Sequence, residues 1–149
     1  METKKTYLNF YWSVRKYLYE SFLTIPIFYN PLTRPTVTED KTLILSFQDD
    51  AIGRLTVSNP RIICVSKNDP ETQKLSELVS AVVEKFTAPA AARKTIPFWD
   101  WDEQTKVNIG YIRVSNVRTR PSIPYSEGFI QKAVDMTMDY VVEQRHLFA

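Results

Sequence analysis

Histidine and cysteine each occur once and glycine three times among 149 residues, and each scarcity closes off a chemistry. The sole imidazole, His146, lies in the last four residues, where chains fray, so neither a zinc site nor a catalytic triad is expected. The lone cysteine, Cys64, rules out an internal disulfide, and in an apolar stretch it reads as a small core residue. Gly53, Gly110 and Gly128 fall in no phosphate-cradling spacing, and no nucleophile elbow or dinucleotide fingerprint occurs. No apolar run approaches the roughly 18 residues of a membrane span. Asn9, Ser13, Arg15 and Lys16 interrupt the continuous apolar stretch that a signal peptide needs. Charge of one sign is not in excess either. With 19 basic and 17 acidic residues, the balance is too even for a dedicated duplex-binding domain. The expectation is a cytosolic protein with no cofactor, no metal and no catalytic residues.

What is present is ordinary for a globular domain: 44% hydrophobic and 24% charged residues, enough for one core in a single domain spanning 1–149. Aromatics reach 13%, which suits a large buried or self-associating surface. Composition and spacing do not by themselves name a function.

The chain is organised around residues 54–86. A β-branched run at 61–66 reads as a buried strand, and Asn68-Asp69-Pro70 turns it into a helix. Asp69 is the expected N-cap and Pro70 the first helical residue, since a first-turn N–H is not missed. Leu75, Leu78, Val79, Val82, Val83 and Phe86 then form one apolar stripe, and Pro89 ends the helix.

An earlier helix is predicted over 6–22, with Tyr7, Phe10, Tyr11, Val14, Leu18 and Phe22 on one face. Leu8, Trp12 and Tyr19 widen that face. Such a helix is either buried deeply in its own domain or also touches a neighbouring subunit. Residues 24–29 read as an edge strand because of Pro26, and 30–41 as a long loop of the kind usually functional or mobile. Strand 42–48 is expected to form a hairpin through 49–53 with 54–57, with a bulge at Pro60. Residues 87–106 read as a long connection and 107–114 as a strand with Val107, Ile109 and Tyr111 on one face. Residues 118–128 read as a proline-rich loop. The cleanest period-two signal follows at 130–142, with Val134, Met136, Met138, Tyr140 and Val142 opposite Asp135, Thr137 and Asp139. The tail, 143–149, carries no element. The fold class is therefore α+β: a mixed, mainly antiparallel sheet, two helices on one face and long projecting loops.

Phe98-Trp99-Asp100-Trp101-Asp102-Glu103 is the most unusual local composition. Paired carboxylates between aromatic platforms suit sugar-cleaving sites, but such pairs flank a substrate from separate elements. Adjacent in one loop, they read better as a segment whose tryptophans anchor it to the body or to a partner. Gly110-Tyr111-Ile112-Arg113-Val114 departs from the RNA-recognition pattern at Ile112 and Arg113.

The order of elements resembles the tail terminator proteins of tailed bacteriophages, small α+β subunits that form a six-membered ring on the tail tube. The likeness rests on the helix beginning Tyr7-Leu8-Asn9-Phe10-Tyr11-Trp12, the hairpin around Leu43–Phe47 and Leu55-Thr56-Val57, the strand-turn-helix from Ile62 to Phe86, and the closing strand 133–142. It spans most of the chain and contains no diagnostic short motif. The resemblance implies a virion protein at the neck end of the tail, assembled in the host cytoplasm, that caps the tube, stops its polymerisation and presents a head-joining surface. Its implied partners are further copies in a hexamer, the tail tube protein, connector or neck proteins, and a sheath protein where the tail contracts. DNA would pass through the lumen without specific binding. Phe98, Trp99, Trp101, Arg118, Arg120 and Tyr125 are the expected assembly contacts, with Asp135 and Asp139 lining the lumen. A head-completion adaptor, a tail tube subunit, or a nucleic-acid-binding module using the open sheet face are the alternative readings.

Overall fold

The computed structural model describes residues 4–47, 57–88, 94–100 and 107–142. Among these the chain runs α1 (Lys4–Ser21), β1 (Ile27–Tyr29), β2 (Lys41–Phe47), β3 (Val57–Ser58), β4 (Pro60–Lys67) and α2 (Gln73–Phe86). It continues through β5 (Lys94–Asp100), β6 (Val107–Thr119), β7 (Ile123–Ser126) and β8 (Phe129–Val142). The strands form one curled sheet in the order β1-β2-β4-β8-β6-β5, with β3 and β7 also paired to β8. Every pairing is antiparallel except β1 with β2. The class is α+β, as expected.

The strand expected over 130–142 is present as β8, and it is the spine. β4 pairs along one side of it from Arg61↔Asp135 to Lys67↔Phe129. β6 and then β7 occupy the other side. Alternation sends Val134, Met136 and Met138 into the core, where Leu43, Leu45, Ile62, Cys64, Ile96, Phe98 and Ile112 meet them. Phe10, Val14 and Leu18 of α1 and Leu75, Leu78, Val82 and Phe86 of α2 close over that face. Each such side chain, fully buried, contributes about 1.5–3 kcal/mol.

Local chemistry moves several boundaries. The second helix starts at Gln73 and not at Pro70, because Thr72 takes a left-handed φ of 55°. Asp69 still serves the helix: its carboxylate accepts from the N–H groups of Lys74 at 3.2 Å and Leu75 at 2.8 Å. Although burial pushes its pKa up, those bonds and one from the Ser66 hydroxyl hold it below the ordinary value. The expected bulge at Pro60 is absent. Ser58↔Met138 and Arg61↔Asp135 share one register, so the proline only withholds an N–H. The hairpin turn at 49–53 lies outside the described residues.

The long segment 30–40 has a topological reason. Parallel neighbours such as β1 and β2 need a crossover of about a dozen residues, and this one lies across the face opposite the helices. There Val37 packs with Ile44, Val65 and Tyr125 in a second, smaller core. The Tyr125 hydroxyl donates to the Pro35 carbonyl, and the Arg34 guanidinium lies 3.8 Å from the Tyr125 ring centroid. Stretches expected as loops at 87–106 and 118–128 hold β5 and β7. The expected face of Val107, Ile109 and Tyr111 is also corrected: Ile112 and Val114 are buried, while Val107 and Tyr111 are 42% and 40% exposed. An irregularity between Phe98 and Trp99 shifts the phase, so that Phe98 pairs with Gly110 but Trp99 with Asn108.

At Gly110, β6 lies tight against β8: a Cβ there would sit 1.9 Å from the Val141 carbonyl oxygen. Gly110→Ala must push two paired backbones apart, which we expect to cost about 2–3 kcal/mol. At this chain length that lowers the melting temperature by roughly 5–10 °C. Calorimetry checks it, and an unchanged melt would place the two strands wrongly.

Candidate functional site

Two surfaces stand out. The first is the half of the helix-free sheet face that the 30–40 segment leaves uncovered. Asp135 and Asp139 lie on this side of β8 because their even-numbered neighbours face the core. Arg61 arrives opposite Asp135 from β4, and Arg113 opposite Asp139 from β6. Farther along β6, strict alternation would turn Arg118 and Arg120 to the core. A bulge between Ser115 and Arg118 prevents it, with Asn116 at φ 52° supplying the left-handed residue. Arg118 is thereby paired with Asp135, and the Arg120 side chain reaches the same carboxylate.

The contacts are short and directional. Arg61 donates through Nε to Asp135 Oδ1 at 2.6 Å and through Nη2 to Oδ2 at 3.1 Å. Arg120 Nε donates to Asp135 Oδ2 at 2.7 Å. Arg113 repeats the two-pronged arrangement on Asp139, at 2.6 and 3.0 Å. The Asp135 side chain is only 4% exposed, beneath guanidiniums that are 33% and 52% exposed. The hydrogen bonds from Arg61, against the opposing effect of burial, and then the one from Arg120, hold the Asp135 carboxyl at a pKa of about 2. The Asp135 bonds raise the pKa of Arg61, and the bonds to Asp139 raise that of Arg113. Cys64, on the other face, is pushed up to about 12 by burial and is no nucleophile at neutral pH.

The second surface is the outer side of α1, a helix that spans the gap between the two edges of the curled sheet. Toward β5, the Ser13 hydroxyl accepts from the Trp99 N–H at 2.9 Å, and Asn9 Nδ2 donates to Asp100 Oδ1 at 3.4 Å. Toward β1 and β2, Arg15 stacks 4.0 Å from the Tyr29 ring centroid and Tyr11 packs on Phe47. Inward, Phe10, Val14 and Leu18 enter the core. Three sides are thus used, and the fourth carries Leu8, Trp12 and Tyr19 at 53%, 39% and 57% exposure, with the Arg15 guanidinium 4.6 Å over the Trp12 ring, followed by Leu23 at 70%. The reading that buried all of this helix within its own domain does not hold for these residues.

Against models of known protein families, curated protein sequences and solved structures, the chain finds no match. No family assignment follows. Among the described residues no cluster of three or more His, Cys, Asp or Glu could hold a metal ion, and no helix is long and apolar enough to cross a membrane.

The residues expected to form one assembly surface are dispersed. Phe98 is fully buried in the core and Tyr125 is 6% exposed under Arg34, so neither presents an anchor to a partner. Trp99 is half-buried, its ring 5.5 Å from Lys16 Nζ, and Trp101 lies outside the described residues, as do Asp102, Glu103 and His146. Arg118 and Arg120 are exposed and belong to the sheet-face cluster. Thr137 and Asp139 are half-exposed, but Asp135 is clamped and buried, so the row does not present two bare acids. Arg61 had no sequence signal at all, since only the strand register brings it to Asp135. The outer α1 stripe was legible as surplus apolar residues.

Removing the central carboxylate should be measurable. Asp135→Asn is expected to cost about 2 kcal/mol at neutral pH, the value of a pKa lowered from 3.8 to about 2. The half-exposed guanidiniums can rehydrate, which keeps the cost below the 3–5 kcal/mol of a fully buried broken pair. A lowered carboxyl pKa stabilises the fold fully above pH about 4, and that contribution is lost as pH falls through about 2. Urea unfolding at neutral and acidic pH should therefore show the gap between wild type and variant closing with acid. A gap independent of pH would mean that the carboxylate charge is not what matters.

Proposed function

We propose that this chain is a ring-forming structural subunit of a bacteriophage tail, acting as a tail terminator: it caps the last ring of the tail tube, ends tube polymerisation and offers the surface to which the neck joins. The observation that carries the reading is the fourth side of α1. A helix already committed on three sides to closing its own sheet still displays Leu8, Trp12 and Tyr19 to solvent, with Leu23 beyond its end. Tryptophan and tyrosine are the residues most enriched at the centres of protein interfaces. The order of helix, strands, helix and strands supports the same reading, because it is the order on which the resemblance to tail terminators rests.

A head-to-tail contact between copies closes into a ring when its rotation divides the circle, and six copies multiply a contact that is weak alone. The partners proposed with this role are other copies of the chain, most simply as a hexamer, the tail tube protein, connector or neck proteins, and sheath protein where the tail contracts. Its place would be the virion neck, with DNA passing through the ring.

Trp99 is a poor probe of assembly because it also packs on α1; Trp12 and Tyr19 are cleaner. The double change Trp12→Ala with Tyr19→Ala removes exposed rings, an edge-on ring contact with Tyr11 and one cation–π contact from Arg15. It should lower stability by about 1–2 kcal/mol. We expect wild type to cap purified tail tubes under electron microscopy and the variant to fail, with at least a thirtyfold loss of affinity for about 2 kcal/mol of interface energy. Wild-type protein that ignores tube ends at high concentration would end the proposal. A variant that caps as well as wild type would remove α1 from it.

A further inference from the structure

We propose that the uncovered half of the helix-free sheet face binds the phosphodiester backbone of nucleic acid through Arg61, Arg113, Arg118 and Arg120. This rests on the sheet face alone and is independent of the ring assignment, which rests on α1.

Charge comes first. Among the described residues, four guanidiniums share this face with two carboxylates, and both carboxylates are already held by arginine. Asp135 lies beneath its partners with 4% of its side chain exposed, so an approaching anion meets the cations before the acid. The surplus among the described residues is two positive charges on one patch, in a chain whose whole formal charge is +2.

The second point is how the arginines are held. Arg61 and Arg113 spend their Nε and Nη2 protons on the carboxylates. Their Nη1 groups, and the whole Arg118 guanidinium, make no hydrogen bond among the described residues. A guanidinium fixed along one edge retains further donors for a phosphate oxygen. For Arg61 and Arg113, the rotamer entropy that ordering a free arginine would cost has already been lost on folding.

Spacing then decides between a small anion and a polymer. Arg61 and Arg118 flank Asp135 from strands on opposite sides of β8, their backbones roughly 10 Å apart at the usual strand separation. Arg113 reaches Asp139, four residues along β8 from Asp135, or about 13 Å. Arg61 and Arg120 meet at Asp135 and could share one phosphate, but Arg113 lies too far along β8 to join them on it. Together they match a ligand with anions repeated along its length.

Tyr111 selects nucleic acid over an acidic polypeptide. It lies two residues before Arg113 on the same face of β6 and is 40% exposed. An exposed ring beside a fixed guanidinium is a platform for a base, and such stacking contributes about 1–3 kcal/mol per base. A run of carboxylates offers it no ring to stack on. Because a base must be unpaired to stack, the single strand is the preferred form.

Fluorescence anisotropy of the full chain with a labelled single-stranded oligonucleotide and with its duplex, over a salt series, tests this. For three or four phosphates neutralised on a single strand, log affinity should fall against log salt with a slope of about −2 to −3. That is roughly a thirtyfold loss between about 50 and 200 mM. Arg118 has no ion-pair partner among the described residues, so Arg118→Ala should leave the melting temperature unchanged and reduce the slope by about 0.7. Arg118→Glu should weaken binding further at the same stability. Tyr111→Leu should weaken the single strand more than the duplex. The proposal is overturned by no binding at low salt, by binding insensitive to salt, or by binding that Arg118→Glu does not change. Polyglutamate competing more strongly than the oligonucleotide would also overturn it and assign the face to an acidic protein partner.

Discussion

Everything else in this fold depends on the two-residue period of β8. Because β4 and β3 pair along one side of it and β6 and β7 along the other, each of its residues sets the facing of its partners on both sides. Val134, Met136 and Met138 can therefore recruit a core from both halves of the sheet. For the same reason Asp135 and Asp139 gather arginines from strands far apart in sequence. A one-residue slip of either neighbour would put guanidiniums into the core and isoleucines onto the outer face. Register, core and charge cluster are one constraint seen from two sides.

The helices divide the remaining work unequally. α2 has one apolar stripe and one solvated side, and it covers the centre of the inner face. α1 instead fills the space that a curled but unclosed sheet leaves between its edges. Covering an edge with a helix protects unpaired strand groups from adventitious pairing. Here Ser13 does so explicitly by accepting the Trp99 N–H, and Pro97 removes another donor from the same strand. That duty fixes the position of α1 and leaves Trp12 and Tyr19 displayed on a rigid support. Aromatic anchors held that way lose little entropy when a partner covers them.

Patterns confined to one element were legible in the amino-acid order. The α+β class, the stripe of α2 and the alternation of β8 all follow from spacing alone. What was not legible depended on pairing between distant segments. Phe98 and Trp99 look like a loop because Pro97 and the neighbouring acids argue against a strand, yet pairing with β6 holds them in one. Val107, Ile109 and Tyr111 suggest one apolar face until the irregularity opposite Trp99 shifts the phase and Ile112 becomes the core residue. The segment 30–40 looks like a spare loop until β1 proves parallel to β2, after which its length is obligatory. In the charge cluster, Asp135 was picked out by its row. Arg61 was not, because nothing local to Arg61 distinguishes it from any solvated arginine.

The arginine–aspartate network calls for a reason beyond stability. Withdrawing a carboxylate from water costs several kcal/mol, and well-packed apolar residues in place of a buried ion pair are often as stabilising or more so. This face could be apolar: Val37, Ile44, Val65 and Tyr125 make a core on the same side of the same sheet a few residues away. The chain builds that cover at one end and leaves the other to Asp135 with Arg61 and Arg120, and to Asp139 with Arg113. It also introduces a bulge at Asn116, without which Arg118 and Arg120 would face the core. A solution that is both energetically second-best and locally irregular is hard to explain as packing. It is readily explained by what it presents: guanidiniums locked on one edge, open on the other, set at fixed distances on a rigid sheet.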